Sequence, residues 1–323
     1  MGLAHIGKIV DIKPIEGKDK IVAATVVVGN AGKWQGVVQK DVFGIGSLCE
    51  VFLQDAIVPA TPEFAFMESR HYIVRMARFG GVPSECLITP LTVEGNVGDD
   101  ITEVRGVKKY DKPIAASLTG TVLGNFPSFI PRTDEPNFQS VPEMVDWFKG
   151  KKFYSTVKAD GSSGTAYKHE GHFGVCSRNL ELKETEGNAM WQLVRKYNLE
   201  ALLPDGVAIQ FETIGNGIQG NPMGIKGLDM RVFNLYDIGA HEYLNGQEVK
   251  DFCRYANIPM VDIVDWDATF TFESDEAIRK YAEGLYPNGK QREGVVIRPM
   301  TESRIGNMRC SMKSINLLYK GAQ

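Results

Sequence analysis

The residues best suited to chemistry cluster in Lys158-Ala159-Asp160-Gly161-Ser162-Ser163-Gly164. A lysine leaving a strand into a turn of small residues can approach a phosphate closely. Such a turn also offers backbone N–H groups to the phosphate oxygens. Taken alone, the pattern reads equally well as a surface lysine before an Asp-Gly hairpin turn. Lys-x-Asp-Gly arises by chance in roughly one chain in ten of this length, so the segment is weak by itself. It is followed by Ser177-Arg178-Asn179, Phe211-Glu212, the aromatic run Val232-Phe233-Asn234-Leu235-Tyr236-Asp237, Glu293-Gly294-Val295-Val296-Ile297 and Ser311-Met312-Lys313. Each has a bland alternative. Glu212 could end a buried strand, and Phe233 could be a core aromatic as readily as a base-stacking one. Arg178 could pair with Glu181 or Glu184, and Lys313 could be one more surface lysine.

The order and spacing of these segments resemble the covalent nucleotidyltransferase superfamily of ATP-dependent DNA and RNA ligases and mRNA capping enzymes. There they are motifs I, Ia, III, IIIa, IV and V, lining one nucleotide pocket. Thr213-Ile-Gly-Asn-Gly-Ile-Gln-Gly-Asn221 after Glu212 and the leading segment Phe126-Pro-Ser-Phe-Ile-Pro-Arg-Thr-Asp-Glu135 resemble RNA ligase family 5. Trp34-Gln-Gly-Val-Val-Gln-Lys40 and Pro62-Glu-Phe64 look like the OB module that this family carries before its ligase domain. The resemblance implies an ATP-dependent RNA ligase that joins a 3′-OH to a 5′-phosphate through lysyl-AMP and RNA-adenylate, acting on RNA or RNA/DNA nicked duplexes. Lys158 is then the nucleophile, and Lys313 neutralises the α-phosphate. Mg²⁺ or Mn²⁺ is held chiefly by Glu293, with Asp160 acting through water; such hard ions take oxygen ligands. Glu212 grips the ribose, Arg178 contacts the sugar or the incoming strand end, and Phe233 lies against the base.

Two positions depart from the family pattern. Val157 stands where a glutamate usually precedes the lysine, and Phe211 where a glycine usually precedes the glutamate. Val157 remains a candidate adenine-side residue, and Phe211 is expected to reshape the sugar pocket. Two alternatives stay open: an inactive nucleic-acid-binding protein with a ligase-like domain, and another superfamily enzyme, either a DNA ligase or a GTP-using capping enzyme.

The elements that must position these residues fit an α+β protein of two domains, as 323 residues suggest. Ile21-Val28, Trp34-Gln39, Leu48-Leu53 and Tyr72-Arg78 read as short strands of an OB-type β-barrel over residues 1–110. Residues 111–323 form the nucleotidyltransferase domain, ATP-grasp-like in the manner of DNA and RNA ligases, with antiparallel sheets flanked by helices. Strands are expected at Phe153-Lys158, Thr165-Tyr167, Phe173-Ser177, Val207-Glu212, Met230-Ile238, Gly294-Arg298 and Met308-Ser314. Helices are expected over Glu184-Asn198 and Gln247-Asn257 and from Ser274-Asp275-Glu276, where a hydroxyl cap precedes first-turn acids.

A formal charge of −4 excludes a protein that is basic all over, though one basic face can still bind phosphates. Five dispersed cysteines without a C-x-x-C pair read as reduced, buried thiols rather than a disulfide framework. No apolar stretch reaches the ~20 residues of a membrane span. A cytoplasmic monomer is expected.

Overall fold

The computed structural model describes residues 2–29, 32–110 and 122–319. The chain divides into two compact units, one of residues 1–112 and 139–142, the other of residues 113–138 and 143–323.

The first unit is built on an antiparallel sheet of β1 (Ala4–Ile15), β2 (Lys18–Val27), β3 (Lys33–Gln39), β4 (Leu48–Phe52) and β8 (Leu87–Pro90), in the order β3-β2-β1-β4-β8. Alternation turns Val22, Ala24 and Val26 of β2 inward, where they join Ile9, Trp34, Val38, Val51 and Ile88 in one core. Register shifts at Ile9/Asp11 and Pro14/Ile15 bend β1. Bulges of this kind let one long strand serve two partners around a barrel. Short pairs complete the unit: β5 (Ala56–Ile57) with β9 (Lys108–Lys109), and β6 (Ala77–Phe79) with β7 (Val82–Ser84). The strand expected over Tyr72-Arg78 is mostly absent. A 3₁₀ helix occupies Pro62–Arg70, and His71 and Tyr72 then adopt φ of 52° and 60°. Their N–H groups close the helix on Glu68 and Met67, so residues 72–74 make only a one-bridge pairing with β5, through Ile73 and Ile57, and a named strand begins at Ala77.

The second unit holds two larger antiparallel sheets. One comprises β10 (Val122–Asn125), β12 (Ser162–His169), β13 (His172–Cys176), β14 (Leu180–Leu182), β15 (Val207–Gly215), β16 (Leu228–Asp237) and β17 (Glu242–Tyr243), in the order β10-β14-β13-β12-β15-β16-β17. The other runs β18-β11-β19-β22, from β11 (Lys152–Val157), β18 (Ile263–Thr269), β19 (Gly294–Pro299) and β22 (Met312–Ile315). A short hairpin, β20 (Arg304–Ile305) with β21 (Met308–Arg309), precedes β22, so the expected Met308-Ser314 strand is broken at Cys310 and Ser311.

Among the described residues five α-helices flank these sheets: α1 (Pro142–Phe148), α2 (Ala189–Lys196), α3 (Leu199–Leu202), α4 (Gly246–Ala256) and α5 (Asp275–Ala282). The expected helix from Glu184 begins five residues later. Asn188 there accepts the N–H groups of Met190 and Trp191 as an N-cap. Ser274 caps α5 through the Ala277 N–H, as its sequence implies. Helices α2 and α4 lay Met190, Leu193, Val194, Val249 and Cys253 over one face of the seven-stranded sheet. The α+β class is therefore as expected. All five cysteines are free and buried. Among the described residues no helix is long and apolar enough to cross a membrane.

Candidate active site

Lys158 stands one residue beyond β11, yet it and Val157 still bond to the chain on either side. Its own N–H donates to Gly294 O at 3.0 Å, and that of Val157 donates to Asp262 O at 2.8 Å. The nucleophile candidate is thus carried by a strand rather than by a loose loop. Its Nζ lies 2.7 Å from Glu293 Oε2.

Glu293 is fixed from three sides. The buried guanidinium of Arg292 donates to the carbonyls of Tyr281, Ala282 and Glu283, closing the C-terminal end of α5 where unpaired carbonyls attract a cation. The Asn316 N–H donates to Glu293 O at 2.9 Å. The Glu293 N–H in turn donates to Tyr286 Oη at 3.2 Å.

The charges around Lys158 are negative. Burial disfavours its ammonium, but Glu293, then Glu212 and Asp160, outweigh that and hold its pKa above the usual lysine range. The structure thus brings Lys158, Asp160, Glu212 and Glu293 together. Asp160 is buried and accepts a short hydrogen bond from the Tyr319 hydroxyl. Gly161 follows because nothing larger fits. A Cβ there would stand 2.2 Å from Thr213 O and 2.9 Å from Glu212 Cγ.

Glu212 lies on β15 opposite Ser163 of β12. Its neighbour Phe211 points to the other face, fully buried beneath α2, where the absence of a side chain at Gly164 leaves room for its ring. Phe211 therefore does not line the space beside Glu212, contrary to the expectation that it reshapes a sugar pocket. Phe233 owes its orientation to a bulge. β15 pairs Gln210 with Asn234 and Phe211 with Val232, so Phe233 is the extra residue. Bulges re-aim side chains in this way beside active sites. Half-buried Phe233 and Val157 pack on one apolar cluster with Ala159, Ile214, Met223, Val261 and Tyr286. A planar base could lie against such a wall.

Lys313 sits in β22 opposite Val296, which in turn faces Thr156. This register places it on the same sheet face as Lys158, two strands away. Arg178, in the β13–β14 loop, pairs with Asp134 at 2.6 Å rather than with Glu181 or Glu184. Asp134 belongs to the leading segment, which is bonded to the site along its length. Arg132 donates to Asn179 at 2.9 Å, Thr133 and Ser163 share a 2.6 Å hydroxyl contact, and the Lys313 N–H donates to Pro136 O at 2.8 Å. Glu135 anchors the segment by accepting from the buried Arg298 at 2.8 Å.

Tyr286, Tyr319 and the Glu135–Arg298 pair escaped sequence reasoning. Each has a partner more than a hundred residues away along the chain, and no local spacing marks them. Glu135 alone was visible, as the last residue of the leading segment.

The oxygen donors suit a hard divalent ion. Among the described residues no three His, Cys, Asp or Glu side chains converge as a ready-made cage. That matches Mg²⁺-like ions, which take one or two carboxylates and complete their shell with water and substrate phosphates.

Lys158 at the end of β11 thus faces carboxylates beside an apolar wall. An RNA ligase family model matches residues 151–315, and an OB-fold domain model matches residues 3–87. No curated protein matches the chain. Among solved structures it is similar to Naegleria gruberi RNA ligase. A lysine-to-alanine mutant of that protein with ATP and Mn superposes at a TM-score of 0.85, with 33% identity over 97% of each chain. A glutamate-to-alanine mutant with AMP and Mn gives 0.84 and 33%, covering 98% of this chain and 97% of that one. The same ligase with PPi gives 0.84 and 32%, over 98% and 97%. The chain belongs to the RNA ligase family, with an OB-fold domain ahead of the ligase domain.

Proposed function

We propose that this protein is an ATP-dependent RNA ligase that seals a 3′-OH to a 5′-phosphate, at nicks in RNA or RNA/DNA duplexes. The reading rests on one observation above all, the Lys158 amine held 2.7 Å from Glu293 with Glu212 and Asp160 around it. That similar structures hold ATP and Mn, AMP and Mn, and PPi supports the same nucleotide chemistry here.

In the first step Lys158 gives up its proton to solvent water, and Nζ attacks the α-phosphorus of ATP. The N–P bond forms as the bond to pyrophosphate breaks. While three carboxylates face the ammonium it keeps its proton, so their charge must be engaged elsewhere before attack. A divalent ion held by Glu293 and, through water, by Asp160 would neutralise the phosphate oxygens and draw off that negative charge. Glu212 holds the ribose hydroxyls, and Phe233 and Val157 flank the base. Lys313 meets the α-phosphate from β22.

AMP then passes from Lys158 to the 5′-phosphate of the RNA, and the 3′-OH displaces it to close the phosphodiester. Both transfers are in-line, and alignment supplies most of their rate. Arg178 is placed for the sugar or the incoming strand end. Residues 1–110 serve as the strand clamp, as OB folds do. Incubation with α-labelled ATP and Mn²⁺ tests the reading: wild type becomes labelled and Lys158→Ala does not. A folded wild type that stays unlabelled contradicts it.

A further inference from the structure

Tyr286 lies just past α5 and is almost completely buried, at 3% exposure. Its hydroxyl makes two contacts, and both are to the backbone of site residues. It donates to Lys158 O at 3.1 Å and accepts the Glu293 N–H at 3.2 Å. One oxygen thus bridges the two chain segments that carry the 2.7 Å Lys158–Glu293 pair. The ring is wedged in the apolar cluster with Val157, Ala159 and Phe233, so the hydroxyl has a fixed point from which to act. The β11–β19 ladder continues past Val157–Val295 through the Lys158 N–H to Gly294 O bond, and the Tyr286 hydroxyl adds a second tie, on the Lys158 carbonyl and the Glu293 N–H that this ladder leaves unjoined.

We propose that Tyr286 is a positioning residue for adenylation. Its hydroxyl sets the separation and direction of the nucleophilic amine relative to the carboxylate opposite. The inference rests on the lysyl-AMP reading above. Tyr286 touches neither the amine nor the phosphate. Its effect should therefore fall on the rate of the covalent step and not on the capture of ATP.

The test is Tyr286→Phe, which keeps the ring in the cluster and removes only the bridging oxygen. The single-turnover rate of label transfer from ATP to the full-length protein should fall by at least ~10-fold, the scale on which small misalignments act. The ATP concentration giving half the maximal rate should stay unchanged. Tyr281→Phe is the control. Tyr281 is a second phenol with two side-chain contacts, to Ser155 and Asp265, and neither is a group assigned to the chemistry. Its rate should match wild type, with both variants assayed below their melting temperatures. Should Tyr286→Phe melt early, para-aminophenylalanine at position 286 restores a donor at the same point and should recover the rate.

Three results would overturn the inference: an unaltered rate in Tyr286→Phe, a loss shared equally by Tyr281→Phe, or no recovery with the amine. A wild type that never takes up label would instead sink the adenylation reading itself, which separates the two failures.

Discussion

Lys158 and Glu293 lie 135 positions apart in sequence and meet at 2.7 Å, because β11 and β19 are adjacent strands and Lys158 N–H bonds across to Gly294. A carboxylate that close has two consequences. It holds the amine protonated while nothing else engages it, and it stands where a phosphate-bound cation would be gripped. Glu293→Gln removes the charge and keeps the shape. Adduct formation should fall by about 100-fold or more, the scale of losing one preorganised charged group at a reacting centre. A Mn²⁺ titration of the labelling rate checks this; a variant indistinguishable from wild type at every metal concentration would remove Glu293 from its role.

Gly161 tests the same turn from the backbone side. Alanine there must push against Thr213 O, 2.2 Å from the new Cβ, and so against β15, which carries Glu212. Gly161→Ala should lose about 1–3 kcal/mol of stability through overpacking. It should also lose label transfer at temperatures where it is still folded. Urea unfolding together with labelling checks both, and wild-type values in both would show that the turn has slack.

Much of the candidate site's grouping was legible in the sequence, for a physical reason. Groups that act on one phosphate must come from strands that end near it, and each such end leaves a short signature, as Lys158-Ala-Asp-Gly161 and Glu293-Gly294 do. Helix α5 was readable because its cap and first-turn acids are local. Three features were not readable, since tertiary contacts decide them. The bulge that turns Phe233 depends on pairing with β15, the break between His71 and Ala77 depends on a left-handed helix end, and the Tyr286 bridge joins segments 128 and 7 residues away. Phe211 shows the reverse error. Replacement of the family's usual glycine before Glu212 suggested an effect on the sugar pocket, but consecutive strand residues face opposite ways.

The leading segment is clamped by a buried charge. Glu135 faces Arg298, whose side chain is 2% exposed, and Arg309 stands 3.8 Å from the same carboxylate oxygen. Burial works against the charge on Glu135, but Arg298, then Arg309 and Ser311, hold its pKa below the ordinary carboxylate range. Glu135→Ala leaves Arg298 buried without that partner and should destabilise the protein by about 3–5 kcal/mol. The midpoint of urea unfolding measures it, and an unshifted midpoint would show that the clamp adds nothing.

Asp229 gives the acid response of the fold. Burial opposes its charge, but Tyr197, Arg231 and Lys196 outweigh it and lower its pKa from 3.8 to about 2. A depressed carboxylate stabilises the folded state above its unfolded pKa and loses that contribution as pH falls through the folded value. Asp229→Asn should therefore unfold more readily than wild type from pH 7 to about pH 4, with the gap narrowing toward pH 2. Urea midpoints across that range check the sign, and a gap independent of pH would contradict it.

The central claim is that the Lys158 amine becomes bonded to adenylate. Intact-mass and peptide mass spectrometry after incubation with ATP and Mn²⁺ test it most directly. The account predicts one added AMP moiety, located on Lys158 and absent from Lys158→Ala. An unmodified protein, or AMP on a different side chain, would contradict it.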